Sequence, residues 1–294
     1  MNYATLFAES FRGYAAYLGR EIVNPGLHNY FYALIVISLA VYAFEILAPW
    51  RPMQKKLRRD FWLDAFYMFF NFFLFSLIGY AALSDVCARA FNDFLASFGV
   101  RNLVAIRIND LPPWAQLVTL FVLRDFVHWN VHRLLHRVSW LWEFHKVHHS
   151  VREMGFAAHL RFHWMETVVY RTLEYVPLAM IGFGIDDFII VHLTALTIGH
   201  LNHANVVVPL GPLKYVLNNP QMHIWHHMRR FPKDRYYGLN YGLSLSVWDY
   251  VFGTAYVPRD GRDIELGFPG DEVFPSTFLT QAVHPLGGAR PARV

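Results

Sequence analysis

Apolar and polar positions alternate along this chain in long blocks, not at the period of a strand. Tyr30 to Leu47 is an 18-residue apolar run broken only by Glu45, long enough to cross a hydrocarbon core of roughly 30 Å as a helix. Phe61 to Leu83 follows, Phe-rich, with Asp64 near its start and Asn71 inside it, and reads as a second span. The loop between them holds Arg51, Lys55, Lys56, Arg58 and Arg59 and no acidic residue, which the positive-inside rule places in the cytoplasm. Residues 1–29 mix Glu9, Arg12, Arg20 and Glu21 with apolar positions and lack the pattern of a cleaved leader, so they predict an interfacial amphipathic helix.

Leu111-Pro-Pro113 closes a mixed stretch and starts a helix near Trp114. Trp114 to Val131 is a third candidate span. Its Arg124, Asp125 and His128 are expensive in lipid unless they face a protein interior. Thr167 to Gly199 is interrupted by Pro177, Gly182, Gly184 and Asp186-Asp187 and predicts two helices meeting at a turn. After Asn218 the periodicity fades, and from Pro258 the chain is rich in Gly, Pro and Asp, so a cytoplasmic cap and a loosely ordered tail are expected, with 287–294 flexible. The pattern as a whole predicts an all-α membrane bundle of about four spans, residues 30–286, under a cytoplasmic histidine-rich cap.

Composition agrees. Hydrophobic residues make up 55% and charged residues 16%, against about 45–50% and about 25% in average globular chains. The single cysteine, Cys87, leaves no room for a disulfide framework or a thiolate metal cluster. Much of the +4 net charge sits in the loop of residues 51–59, where it sets topology and meets anionic headgroups, so it is no sign of nucleic acid binding.

Histidine is what changes the picture. Fourteen of the sixteen fall between His128 and His227. His132 and His136 are four residues apart, one above the other on a helix face. His145, His148 and His149 form an HxxHH motif that, if helical, projects three rings from one face, and His223, His226 and His227 repeat it. Eight imidazoles exceed the four ligands of one tetrahedral ion and suit two ions of four to six ligands each. All-nitrogen ligation fits iron, zinc or copper without choosing among them. Both the third span and the second half of Thr167–Gly199 lead into these motifs, so two regions reach one face of the membrane. His128 lies one turn before His132 as a ligand, a supporting donor or a buried polar residue. His159 and His163 are also four apart, His200 and His203 end a helix, His192 reads as packed interior, and His28 and His284 read as surface. Asp125, two turns before His132, reads either as a carboxylate holding a ligating ring by its other N–H or as a partner for Arg124 or Arg171.

The order and spacing of the three motifs resemble the sterol desaturase and fatty acid hydroxylase superfamily of integral membrane di-iron enzymes. Arg133 and Arg137 in the first motif, Ser150 after the second, Arg161-Phe-His163-Trp-Met-Glu166, His203-Ala-Asn205 and Asn240-Tyr-Gly242 followed by Trp248-Asp249 extend the likeness over roughly residues 117–286. Trp164 stands where that family usually has proline, and His128 where it has an aromatic. The resemblance implies that the eight motif histidines bind two non-haem irons, with His163 and His203 completing or supporting the set and Asp125 and Asn205 behind it. It further implies O2 as co-substrate and a lipid C–H bond as target. Electrons would come from NAD(P)H through a separate cytochrome b5-like protein, ferredoxin or reductase, because no Gly-rich dinucleotide fingerprint and no cysteine-ligated redox centre is present. The competing class is a membrane protein that binds metal or haem as a transporter or electron carrier. A transporter would place its ligands near the bilayer midplane, whereas these motifs follow the spans.

Overall fold

A computed structural model describes residues 2–26, 29–71, 81–99, 108–183 and 185–286. Among them the chain is helical and carries no sheet, only isolated bridges such as Leu217–Leu245 and Met228–Leu266. The all-α expectation holds. The helices are α1 (Tyr3–Val23), α2 (Tyr30–Leu47), α3 (Phe61–Phe69), α4 (Ala81–Ser97), α5 (Pro113–Arg137), α6 (Ser139–His149), α7 (Trp164–Ile181), α8 (Ile185–His203), α9 (Pro220–His226), α10 (Val247–Val251) and α11 (Phe278–Ala282).

Local signals explain most boundaries. Asn2 and Asn29 cap α1 and α2 through their side-chain oxygens, and Pro113 opens α5 at a position where its missing N–H costs nothing. Gly182, at φ 108°, makes the expected turn between α7 and α8. Pro177 does not contribute to that turn, because it lies inside α7.

The expected spans are not reproduced as such. Among the described residues no helix is long and apolar enough to cross a membrane. Charge is one reason: α5 runs for 25 residues but buries Arg124 and Asp125, and α7 carries Glu166 and Glu174. The second expected span is described only over α3 and its end, since residues 72–80 lie outside the described residues, as do His28 and 287–294.

Helices α5, α7 and α8 pack around a common centre, with α6 closing against α5 and α9 against α8. Helix α1 lies along α4 and touches α2. The basic loop is partly built into the fold. Arg58 is buried in an ion pair with Asp64, and Arg51 donates to Asn205 Oδ1 and to the Met154 carbonyl, while Lys55, Lys56 and Arg59 stay exposed. The segment after Pro258 is not loose up to residue 286. Leu266 packs with Trp225, Ile224 and Trp50 in one core cluster, and Gln281 accepts from the Tyr67 hydroxyl at 2.9 Å.

Candidate metal centre

The helices bring the motifs together in two adjoining groups of buried imidazoles. One holds His132, His136, His145, His149 and His226, and the other His148, His203, His223 and His227. Within each group the candidate ligand atoms lie within 4.8 Å of one another. The groups abut, since the His149 and His227 rings stack at 4.6 Å. The HxxHH motifs do not present three rings to one ion. Each sends its i, i+4 pair to one group and its middle ring to the other: His145 and His149 against His148, His223 and His227 against His226.

Ring orientation follows from what the far nitrogens do. Nδ1 of His132 donates to the Tyr241 carbonyl at 2.7 Å, that of His148 to Arg161 at 3.1 Å, that of His203 to Gly199 at 2.8 Å and that of His226 to Leu239 at 2.8 Å. His145 Nδ1 lies 2.6 Å from Glu166 Oε2. A ring whose Nδ1 carries its only proton turns a bare lone pair at Nε2 inward. His148 and His203 therefore face each other, lone pair to lone pair, at 3.3 Å. That contact is repulsive unless a cation lies between. Two nitrogens each about 2.1 Å from one ion, at angles of roughly 90–110°, sit roughly 3.0–3.4 Å apart; the closest Nε2 pairs here lie 3.1–3.3 Å apart. Nε2 of His136, His149 and His226 is buried with no hydrogen-bond partner, which an ion would also satisfy.

Electrostatics point the same way. Desolvation, and then the neighbouring imidazoles, hold His132, His136, His145, His149, His203, His223, His226 and His227 well below their ordinary pKa, and desolvation takes His148 down to about 4. All nine are neutral at pH 7 and ready to ligate. Burial pushes the Glu166 carboxyl up to about 8, so placing the His145 proton on Nδ1 with Glu166 ionised releases a proton when the site loads.

Asp125 is buried behind the site and bonds to the loop that follows Gly242. It accepts from the backbone N–H of Ser244 (3.1 Å) and Leu245 (3.2 Å) and from the Trp248 indole (3.0 Å), while Arg124 pairs with Glu174. Asp249, in the matching position behind the loop, accepts from Trp129, Tyr241, Gly242 and Thr254 at 2.6–3.0 Å. These two carboxylates hold the loop that offers Tyr241 to His132. Asn205 ties the chain after His203 to Arg51 and Glu45. His163 stands outside both groups, with Nε2 2.9 Å from the Ala282 carbonyl and Nδ1 accepting from Met165 N–H. His128 pairs with Glu174 at 2.5 Å and stacks on Tyr170, and His159 bonds to His200, which reaches Ser38. His284 is half-buried against Glu143, not a free surface residue. Glu166 is the site residue whose role sequence reasoning missed, although it stood inside the Arg161–Glu166 motif.

A cavity of about 130 Å³ opens onto both groups, lined by His132, His145, His148, His203 and His223. Leu160, Phe162, Ala195, Leu196 and Leu243 make its walls apolar, while Arg124, His128 and Glu174 stand at one side, the His128 ring 6.1 Å from that of His132.

The helical scaffold thus sets two abutting all-histidine groups, with donor atoms placed as metal ligands would be, beside a cavity with apolar walls. Residues 117–254 match the family profile described as fatty acid hydroxylase. An ornithine lipid hydroxylase of Rhizobium tropici is 32% identical over 170 residues, covering 58% of this chain and 50% of that protein. The alkylglycerol monooxygenase of Homo sapiens is 34% identical over 154 residues, 50% and 33% of the two chains, and methylsterol monooxygenase 1 of Rattus norvegicus 28% over 155 residues, 49% of each. The chain spans half or less of the length of these relatives in its matches. No solved structure matches.

Proposed function

We propose that this chain is a membrane-embedded, O2-dependent lipid hydroxylase or desaturase holding two iron ions, with its histidine face toward the cytoplasm. The observation that carries the reading is the pair of neutral imidazole groups with facing Nε2 lone pairs, opening directly into an apolar cavity. His132, His136, His145, His149 and His226 would hold one iron, and His148, His203, His223 and His227 the other. Ferrous ions in such a site supply the electrons that activate O2 for attack on an unactivated C–H bond.

The protein's own part is placement and exclusion. The five carbonyl and carboxylate acceptors hold the rings, so that the ligand atoms need little rearrangement on loading. Leu160, Phe162, Leu196 and Leu243 would pack an alkyl segment and keep water away. The Arg124–Glu174–His128 cluster, whose His128 lies about one helical turn from His132, suits a lipid with a hydrogen-bonding group a few bonds from the attacked carbon. The membrane setting is supported by the apolar α2, the exposed Val36, Leu39 and Leu47 on it, and the basic loop that follows. Electrons would come from NAD(P)H through a separate carrier. The ornithine lipid, alkylglycerol and methylsterol named for the relatives give the panel to try first.

Membranes from cells expressing the chain, supplied with reductant and ¹⁸O2, test this. A lipid alcohol bearing one ¹⁸O, or a new alkene, absent with His148→Ala, is expected. Unchanged lipids in every class tried, from protein that holds iron, would sink the proposal.

A further inference from the structure

A second pocket, of about 230 Å³, shares no lining residue with the cavity over the metal groups. Arg133, Arg137 and Arg235 stand around it, above a floor of Tyr237, Gly238 and Tyr241. The first two belong to the His132-Arg-Leu-Leu-His-Arg137 motif, whose arginines the metal site leaves unused. Aromatic faces hold all three: Arg133 lies 4.5 Å from the Trp129 ring, Arg137 5.6 Å from Tyr237 and Arg235 5.5 Å from Tyr256. Among the described residues no carboxylate pairs with Arg133 or Arg137, and Arg235 has only the exposed Asp234, at 3.8 Å. Lys233 and Arg230 add exposed charge nearby in sequence, and Tyr236 and Tyr237 are exposed.

The floor is thin. A Cβ on Gly238 would come within 3.1 Å of His136 Nδ1, and the Tyr241 ring lies 5.3 Å from that of His136. A glycine backbone and one tyrosine therefore separate the basic surface from a ring of the five-histidine group.

We propose that this pocket is the docking surface for a small acidic electron-carrier protein, which passes electrons to the five-histidine group by way of His136. The idea rests on the O2-dependent reading above. Hydroxylation joins one oxygen atom to carbon and releases the other as water, consuming two electrons and two protons. A reduced iron–sulfur or haem carrier, oxidised by one electron per visit, must dock twice per turnover. A positive face speeds encounter with an acidic partner and makes the rate fall with ionic strength.

The test uses the iron-loaded full chain in nanodiscs and follows oxidation of reduced plant-type [2Fe–2S] ferredoxin, and of a soluble cytochrome b5 domain, by stopped flow. Wild type should accept electrons from at least one of them quickly at low salt and more slowly as salt rises. Arg137→Glu with Arg235→Glu should cut that rate about tenfold or more and flatten the salt dependence. Arg137→Lys with Arg235→Lys should restore most of it. Reduction by dithionite and iron content should be the same in every variant. The proposal is overturned if neither carrier reduces wild type, if charge reversal leaves the carrier rate unchanged, or if dithionite reduction falls in parallel. Loss of binding to phosphatidylserine vesicles with an unchanged carrier rate would instead assign the arginines to lipid headgroups. Failure of the oxygenase reading shows separately, as no bound iron or as reduced iron that yields no lipid product.

Discussion

Replacing Glu166 offers the sharpest probe of how the scaffold supports the metals. Its carboxylate is buried, accepting from the His163 backbone N–H at 3.2 Å through one oxygen and holding His145 Nδ1 at 2.6 Å with the other. In Glu166→Gln one oxygen must serve two donors, and a neutral hydrogen bond replaces a charge-assisted one, a loss of about 1–2 kcal/mol. Glu166→Ala leaves both donors unpaired. Outer partners of metal-bound histidines change affinity by about 10–100-fold, so roughly tenfold weakening is expected for Gln and up to about a hundredfold for Ala. The five-histidine group should feel it most, because the ligand ring that Glu166 hydrogen-bonds is His145. Cobalt(II) is a suitable stand-in ion, and a chelator titration followed by its visible absorption resolves two sites. The expected outcome is one site weakened well beyond the other. Equal weakening of both, or of neither, would refute the division of the rings and the role given to Glu166.

Asp249→Asn should lower stability by about 1–3 kcal/mol, because its amide nitrogen would face the Gly242 N–H that Oδ2 now accepts, a change readable as a drop in Tm. In the metal-free protein the cluster histidines have depressed pKa values, so the unfolded chain binds more protons as pH falls below about 6.5. The histidine contribution to stability should therefore be greatest above pH 7 and fall between pH 6.5 and 4, with His148 alone, at about 4, contributing roughly 3 kcal/mol of loss; Glu166, raised to about 8, acts with the opposite sign but is one group against nine, so a flat profile would contradict the burial argument. Gly199→Ala would drive a Cβ into the His159 ring beside His203, so the four-histidine group should lose cobalt affinity while the five-histidine group keeps it.

How much of this was legible in the sequence depended on distance along the chain. The i, i+4 pairs His132–His136, His145–His149 and His223–His227 are local, and each does share a group. The helix start at Pro113 and the turn at Gly182 are likewise written in adjacent residues. The orientation of each ring is not, because the acceptors come from afar: Tyr241 holds His132 across 109 positions, and Asp125 reaches Ser244 across 119. For the same reason the bonds of Asp125 to the loop at Ser244 and Leu245 could not be read from its place on the helix. His163 kept the motif's spacing but turned to Ala282, in a segment whose Gly- and Pro-rich composition hid its return to the core.

The central claim, two metals held by histidine alone, is met most directly by counting iron. Anaerobically purified protein should contain about two irons per chain, with no Soret band and a Mössbauer spectrum of nitrogen-ligated high-spin ferrous ions. His203→Ala with His223→Ala should leave about one. A wild-type protein with a single iron, a haem, or tightly held zinc in both groups would contradict the account.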